Sequence, residues 1–172
     1  MKPWPDAPMP LVSTTICVDG NVSDTELTTL LGSVYVDGGF TDPTGAEKLF
    51  SPAAVRTRGT IITARDPTDG RLLGMVILVP PCGAARQIAF DSEAEIHLLA
   101  VRASSRRQGV GRKLVDTVME LASLRGWRSV VLSTQEQMHA AQALYKQAGF
   151  FRVPERDWSR AGRRFLAFGR LD

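Results

Sequence analysis

Between Ile96 and Leu124 the chain reads as one unit. An apolar run is followed by a loop with Gly109 and Gly111 set among arginines, and then by apolar residues at helical spacing. Leu114, Val115, Val118, Leu121 and Ala122 fall on one face, which predicts a helix over Gly109–Leu124 stopped by Arg125-Gly126. The run Ala94–Val101 before it and Val130–Leu132 after it read as strands. Strand, glycine loop, helix and strand in succession imply a sheet with the helix laid across it.

The flanking sequence extends that sheet. Leu11–Val18 is β-branched and reads as a strand, behind a loose, proline-rich tail over residues 1–10. Ser23-Asp24-Thr25-Glu26 has the form of a capping box ahead of a helix through Leu27, Leu30 and Leu31. A loop over Asp37–Thr44 and a helix over Gly45–Val55 follow. Thr60–Ala64 and Arg71–Val79 make a hairpin around Asp66-Pro67-Thr68-Asp69-Gly70. Pro80–Arg86 is a loop, Met138–Ala148 a helix ending at Gly149, and Phe150–Val153 and Phe165–Leu171 are strands. The expected fold is a single-domain, mixed α/β sheet flanked by helices, over residues 11–172.

At 172 residues the chain is long enough to bury one core. Its net charge of +3 does not call for nucleic acid, yet arginines concentrate around Arg102–Lys113 and around Arg160, Arg163, Arg164 and Arg170. Local basic patches suit a small anion better than a long polyanion. Cys17 and Cys82 are far apart and in no metal-ligand spacing, so they read as buried apolar residues in a reducing compartment, and no metal site is expected. No apolar run reaches bilayer length and the N-terminus has no signal-peptide form, which leads to the expectation of a cytoplasmic protein without membrane contact.

The loop Arg106-Arg107-Gln108-Gly109-Val110-Gly111-Arg112 carries the chemistry. Glycines between a strand and a helix N-terminus let a phosphate reach several backbone N–H groups, and the helix dipole adds positive potential there. Neither a P-loop nor a Rossmann glycine pattern is present. Arg106, Gly109 and Gly111 instead fit Arg/Gln-x-x-Gly-x-Gly/Ala. With Leu98-Leu99-Ala100-Val101 before it and Ala143-Leu144-Tyr145 and Gly149-Phe150 after it, the stretch from Glu93 to Val153 resembles the GCN5-related N-acetyltransferases, the GNAT family.

That resemblance implies a mostly antiparallel sheet in which the strand over Glu95–Val101, bulged near Leu99, splays from the strand at Val130. Acetyl-CoA would lie in the opening, as co-substrate. Backbone groups of Leu99, Ala100 and Val101 would face its thioester and pantetheine, and Arg106, Arg107, Gln108, Gly109, Val110, Gly111 and Arg112 would hold its pyrophosphate. By the same resemblance Glu95 matches a general base and Tyr145 the donor to the departing thiolate. The family often has an asparagine seven residues before that tyrosine. Here the position is Met138, with Gln142 or Ser133 as substitutes for the pantetheine contact. His139 reads as a polar helix-start residue.

The acceptor side is less defined. On an alternating strand Glu95, His97 and Leu99 share a face, so His97 also reaches the acceptor. Val34–Thr44, Pro80–Arg86 and Asp157–Gly162 are the loops that would select it, with Tyr35, Phe40, Phe151 and Trp158 as possible walls. Phe40 and His97 are the substrate-binding candidates. Arg152, Glu155, Arg156 and Asp157 read as a solvated run. The implied reaction is direct acetyl transfer to a primary amine of a small molecule. A protein lysine or N-terminal amine, or a CoA-binding regulatory module without catalysis, are the alternatives. An exposed final strand would allow a homodimer.

Overall fold

Ser23 caps the first helix, α1 (Asp24–Leu31), as its context predicts. In the computed structural model, which describes residues 13–18 and 21–171, Glu26 N donates to Ser23 Oγ (3.1 Å) and Ser23 N to Glu26 Oε2 (2.9 Å). Such a cap stabilises a helix end by about 1 kcal/mol. Strand β1 (Thr15–Val18) precedes it. The tail over residues 1–10, and residues 11 and 12 of the first expected strand, lie outside the described residues.

Two departures from the sequence reading follow. Helix α1 runs on into a π-helical turn, Gly32–Val36, where a loop had been expected only from residue 37. The helix read over Gly45–Val55 is two short ones, α2 (Pro43–Leu49) and α3 (Pro52–Arg56). Pro52 has no N–H to continue a helix, so the chain restarts there with Ser51 Oγ accepting from Ala54 N. Asp42 caps α2 in the same way, its Oδ1 2.8 Å from Gly45 N.

Strands β2 (Thr60–Arg65) and β3 (Leu72–Val79) form the expected hairpin. Gly70, at φ 74°, donates to Asp66 O in its turn. Then come β4 (Ala94–Val101), α4 (Val110–Leu124), β5 (Ser129–Gln135) and α5 (His139–Gln147). Strands β6 (Phe151–Arg152), β7 (Trp158–Arg160) and β8 (Arg163–Leu171) close the chain. Strand β5 is longer, and β6 shorter, than the apolar runs that announced them. The expected loop Asp157–Gly162 contains β7, in a tight hairpin with β8 whose Ala161 (φ 50°) and Gly162 (φ 72°) both turn left-handed.

The sheet order is β1-β2-β3-β4-β5-β8-β6, with β7 also on β8; every pairing is antiparallel except β4 with β5. Strand β8 has β5 on one side and β6 and β7 on the other. The final strand is therefore not an open edge, which removes the basis for dimer pairing through it.

Apolar side chains fill both faces of this sheet. Helix α4 buries Val110, Leu114, Val115, Val118, Met119 and Ala122 on one face, with Ile62, Val76, Leu132, Tyr145 and Phe168. Helix α1 covers the other with Leu27, Leu30 and Leu31, against Met75, Ile77 and Val79. Each fully buried leucine contributes about 1.5–3 kcal/mol. Arg152 and Asp157, read as solvated, form a paired fork (2.8 Å on both sides) in which Asp157 also accepts from Ala167 N; it ties the β6–β7 connection to β8. The cysteines depart too: Cys17 is only half-buried and Cys82 is exposed. Among the described residues, no helix is long and apolar enough to cross a membrane.

Candidate active site

Strands β4 and β5 pair only through Ala94–Val130, Glu95–Val131 and Ile96–Leu132, then separate, although β4 continues to Val101 and β5 to Gln135. Part of the cause lies in β4 itself. Met75 faces Ala100 and Ile77 faces His97, so Val76 opposes both Leu98 and Leu99. Leu98 takes φ 49°, the left-handed turn of a bulge. The bulge also breaks the alternation assumed from sequence. Leu99 packs on the α4 side, whereas Leu98 joins the α1 side, so Leu99 does not share a face with Glu95 and His97.

At the C-terminal end of β4 the basic loop leads into α4. Arg107 (φ 59°) and Gly109 (φ 81°) are both left-handed, and Gly109 is the N-cap residue with no side chain to cap the helix. Lys113 N is the first amide of α4 to bond back, to Gly109 O at 3.0 Å. The amides of Val110, Gly111 and Arg112 therefore belong to an uncapped helix N-terminus beside a left-handed turn, a cradle that fits a phosphate. Gly111 has a separate reason: an added Cβ would stand 3.0 Å from Leu144 Cδ2, so the glycine lets α5 close on α4. Among the expected side-chain contacts, Arg107 and Arg106 are exposed, the latter donating Nε to Val101 O. Gln108 donates to Ser104 O. Arg112 is engaged elsewhere, with Asp116 (2.9 Å) and Gln147 O. Its backbone remains in the cradle, but its guanidinium does not.

Where β4 and β5 part, a cavity of about 350 Å³ opens. Tyr145, Met138, Ser133, Leu99, Tyr35, Phe40, His97 and Gln135 line it, with Lys48, Arg58, Arg160 and Arg163. The turn over the cavity is tied down from β5 and β8. Gln135 Nε2 donates to Phe40 O (2.6 Å) and Arg163 Nη1 to Gly39 O (2.9 Å). Tyr35 donates its hydroxyl to Leu99 O (2.9 Å), which fixes the π-helical turn to the bulge.

Glu95 is wholly buried rather than exposed at a strand start. Its Oε2 accepts from Gln87, Ile88 and Ala89 N–H (2.9–3.2 Å), and its Oε1 meets His97 Nε2 at 3.0 Å. Burial pushes its carboxyl up, but His97 and the Gln87 and Ala89 amides outweigh that and hold it below the ordinary carboxylate value. A carboxylate only accepts, so His97 Nε2 donates to Glu95 Oε1, and Nδ1 is the ring nitrogen that this pair leaves over. That Nδ1 is buried without a hydrogen-bond partner. Glu95 is absent from the cavity wall, while His97 lines it.

Tyr145 is nearly buried, packed edge-on to Phe150 and near Phe168, and burial raises its hydroxyl pKa well above the usual value. It is thus a proton donor at neutral pH and not a phenolate. Of the two suggested stand-ins for the asparagine, Ser133 lines the cavity; Gln142 instead donates to Gln135 O and Glu136 O. His139 is exposed at the start of α5. Phe151 is exposed on β6 and lines no part of the cavity, whereas Trp158 lines an adjoining depression with Gln87, Ile88, Arg156 and Arg160. Arg58 and Gln135 were missed, because each sits at an element end with no periodicity or motif around it.

A bulged strand splayed from its parallel neighbour, with an uncapped helix N-terminus at the mouth, defines a class of acyl-transfer domain. The profile of the acetyltransferase (GNAT) family matches residues 26–150. The chain belongs to that family. It is 31% identical over 86 residues to N-acetyltransferase family 8 member 3 of Rattus norvegicus, covering 50% of this chain and 36% of the relative. It is 32% identical over 87 residues to an N-acetylaspartate synthetase of Danio rerio, covering 51% and 28%. The match thus spans about a third of the length of such relatives. Among solved structures, the fold resembles an acetyltransferase of Bacillus subtilis in complex with CoA, with a TM-score of 0.65 and 20% identity over 93% of this chain and 99% of that one.

Proposed function

We propose that the protein is an acetyl-CoA-dependent N-acetyltransferase that moves the acetyl group directly to a primary amine of a small molecule. The observation that carries this reading is the continuous cavity from Tyr145 through the β4–β5 opening to His97. Its volume and its tied-down roof favour a small acceptor over a protein side chain. The likeness to a relative named N-acetylaspartate synthetase agrees with that choice. Neither Cys17 nor Cys82 lines the cavity, in keeping with direct transfer.

When bound, acetyl-CoA supplies the thioester carbonyl that an amine attacks and the thiolate that leaves. The amides of Val110, Gly111 and Arg112, with Arg106 and Arg107, hold its pyrophosphate. Leu99 to Val101 offer backbone groups along the opening. His97 takes the proton from the amine at Nδ1, and Glu95 is a positioning residue that fixes the imidazole through Nε2–H. Glu95, read from sequence as the base, is turned away from the cavity. Tyr145, kept protonated by burial, donates to the sulfur.

Thioester consumption, followed with acetyl-CoA over a panel of small amines, tests the reading. Turnover is expected, and His97→Ala should lower kcat by about 100-fold or more while leaving the KM for acetyl-CoA in place. Stabilisation by acetyl-CoA without turnover of any amine would instead favour a CoA-binding regulatory module.

A further inference from the structure

The seventeen arginines of this chain differ in what they face. Eight of them, among the described residues, sit within ion-pair distance of a carboxylate: Arg56, Arg65, Arg71, Arg86, Arg112, Arg152, Arg156 and Arg164. The three that line the cavity do not. Arg58 is half-buried and donates Nη2 to Leu49 O. Arg163 uses one nitrogen, Nη1, for Gly39 O and Gln135 Oε1. The Arg160 guanidinium lies over the Trp158 and Phe165 rings, at 5.2 and 5.8 Å from their centres. Lys48 adds a fourth cation. The one carboxylate on the wall is Asp42, and its Oδ1 is taken by Gly45 N.

These cations do not serve the pyrophosphate cradle, because no residue of Arg106–Arg112 lines the cavity. Four cations against the one Asp42 carboxylate leave the described wall net positive, and burial already lowers the Arg58 pKa with Arg160 adding to the effect. An anion entering the cavity relieves that repulsion. Arginine forks also suit an anionic oxygen group geometrically.

We infer that the acceptor is an amine bearing an anionic oxygen group, carboxylate or phosphate in chemistry, and not a polycation such as a polyamine. The inference rests on the acetyltransferase reading and names the substrate class of the same site. The arginines grip the anionic end and leave the amine toward His97. Their positive potential also disfavours the ammonium form of that amine, which eases the loss of its proton. A polyamine meets the same potential as a barrier.

The test is acetylation by the full chain of matched amines. The probes are the standard α-amino acids, each against its own carboxamide, their aminophosphonate counterparts, and spermidine. The expected result is a kcat/KM about tenfold or more higher for the anionic member of a pair, with spermidine inert. The carboxylate and phosphonate arms tell the two anion chemistries apart. Arg160→Gln and Arg163→Gln should narrow the acid-to-amide ratio through the KM for the acid, with the KM for acetyl-CoA unchanged; Arg160→Gln, which breaks no tie of the cavity roof, should also leave the melting temperature unchanged. The exposed Arg160 also allows Arg160→Glu, which should move the preference toward spermidine. Carboxamides or spermidine turned over as well as the acids would overturn the inference alone, as would variants that leave the ratio intact. No thioester consumption with any amine would sink the acetyltransferase reading, and this one with it.

Discussion

The two ends of the proposed site are built in different ways. The donor end is mainly backbone: a bulge at Leu98-Leu99 on the cavity wall and, outside the cavity, left-handed residues at Arg107 and Gly109 and the open N-terminus of α4. The acceptor end is side chains from the Tyr35–Asp42 stretch, α2, the turn after α3, β4, β5, β7 and β8, pinned by Gln135 and Arg163. Main-chain recognition depends on where glycines fall and tolerates many surroundings. Side-chain recognition depends on which distant segments meet. The first suits an invariant co-substrate, and the second allows the acceptor to differ between relatives that share the fold.

The sharpest way to break that comparison is at the donor end. Gly109→Asp puts a side chain on a residue at φ 81° and a negative charge at a helix N-terminus. Acetyl-CoA affinity measured by calorimetry should fall by on the order of 100-fold, since left-handed strain and charge act in the same direction. Gly109→Ala, with strain and no charge, should fall in between. Unchanged affinity in both would remove the loop from the donor site.

Tyr145→Phe probes the junction of the two ends. Steady-state kinetics should show kcat reduced by about tenfold with acetyl-CoA affinity retained, because only the proton donor is lost. Equal loss of both would mark Tyr145 as a packing residue between Phe150 and Phe168.

The smallest effect lies outside both ends, where Glu26 joins α1 to β2 through Arg65 (2.7 Å) and so carries the acceptor roof. The Arg65 hydrogen bond is the main reason its carboxyl falls from 4.5 to about 2. A depressed carboxyl contributes stability that is fully present above its ordinary value and is lost as pH falls toward the folded one. The stability difference between the parent and Glu26→Gln should therefore be constant near neutrality and shrink as pH drops from 4.5 toward 2. Urea unfolding at several pH values checks this, and a difference that grew on acidification would discard the assignment.

Much of the fold, and the loop at the head of α4, was legible in the sequence because the signals are local. Ser23 and Glu26 announce a cap, Asp66–Gly70 a turn, and Gly109 and Gly111 a loop at the head of an amphipathic helix. One miss was itself local: Pro52 split an expected helix. Elsewhere a tertiary contact prevailed, as where Tyr35 anchored a π-helical turn through Leu99 O. Strand β7 formed in an expected loop because Trp158 stacks on Phe165 at 4.2 Å.

Glu95 shows the limit most plainly. The residue type and its place on β4 were readable, but its surroundings were not: three amides from residues 87–89 and the His97 ring enclose it. By itself the sequence determined most of the element types, the glycine loop at the head of α4 and the family resemblance, since caps, glycine turns and helical periodicity act over a few residues. Only the tertiary structure decided that His97 rather than Glu95 faces the cavity, and that Arg58, Arg160 and Arg163 meet there without carboxylate partners. Bulge, burial and the convergence of distant side chains depend on how the sheet closes, and no short stretch of chain encodes that.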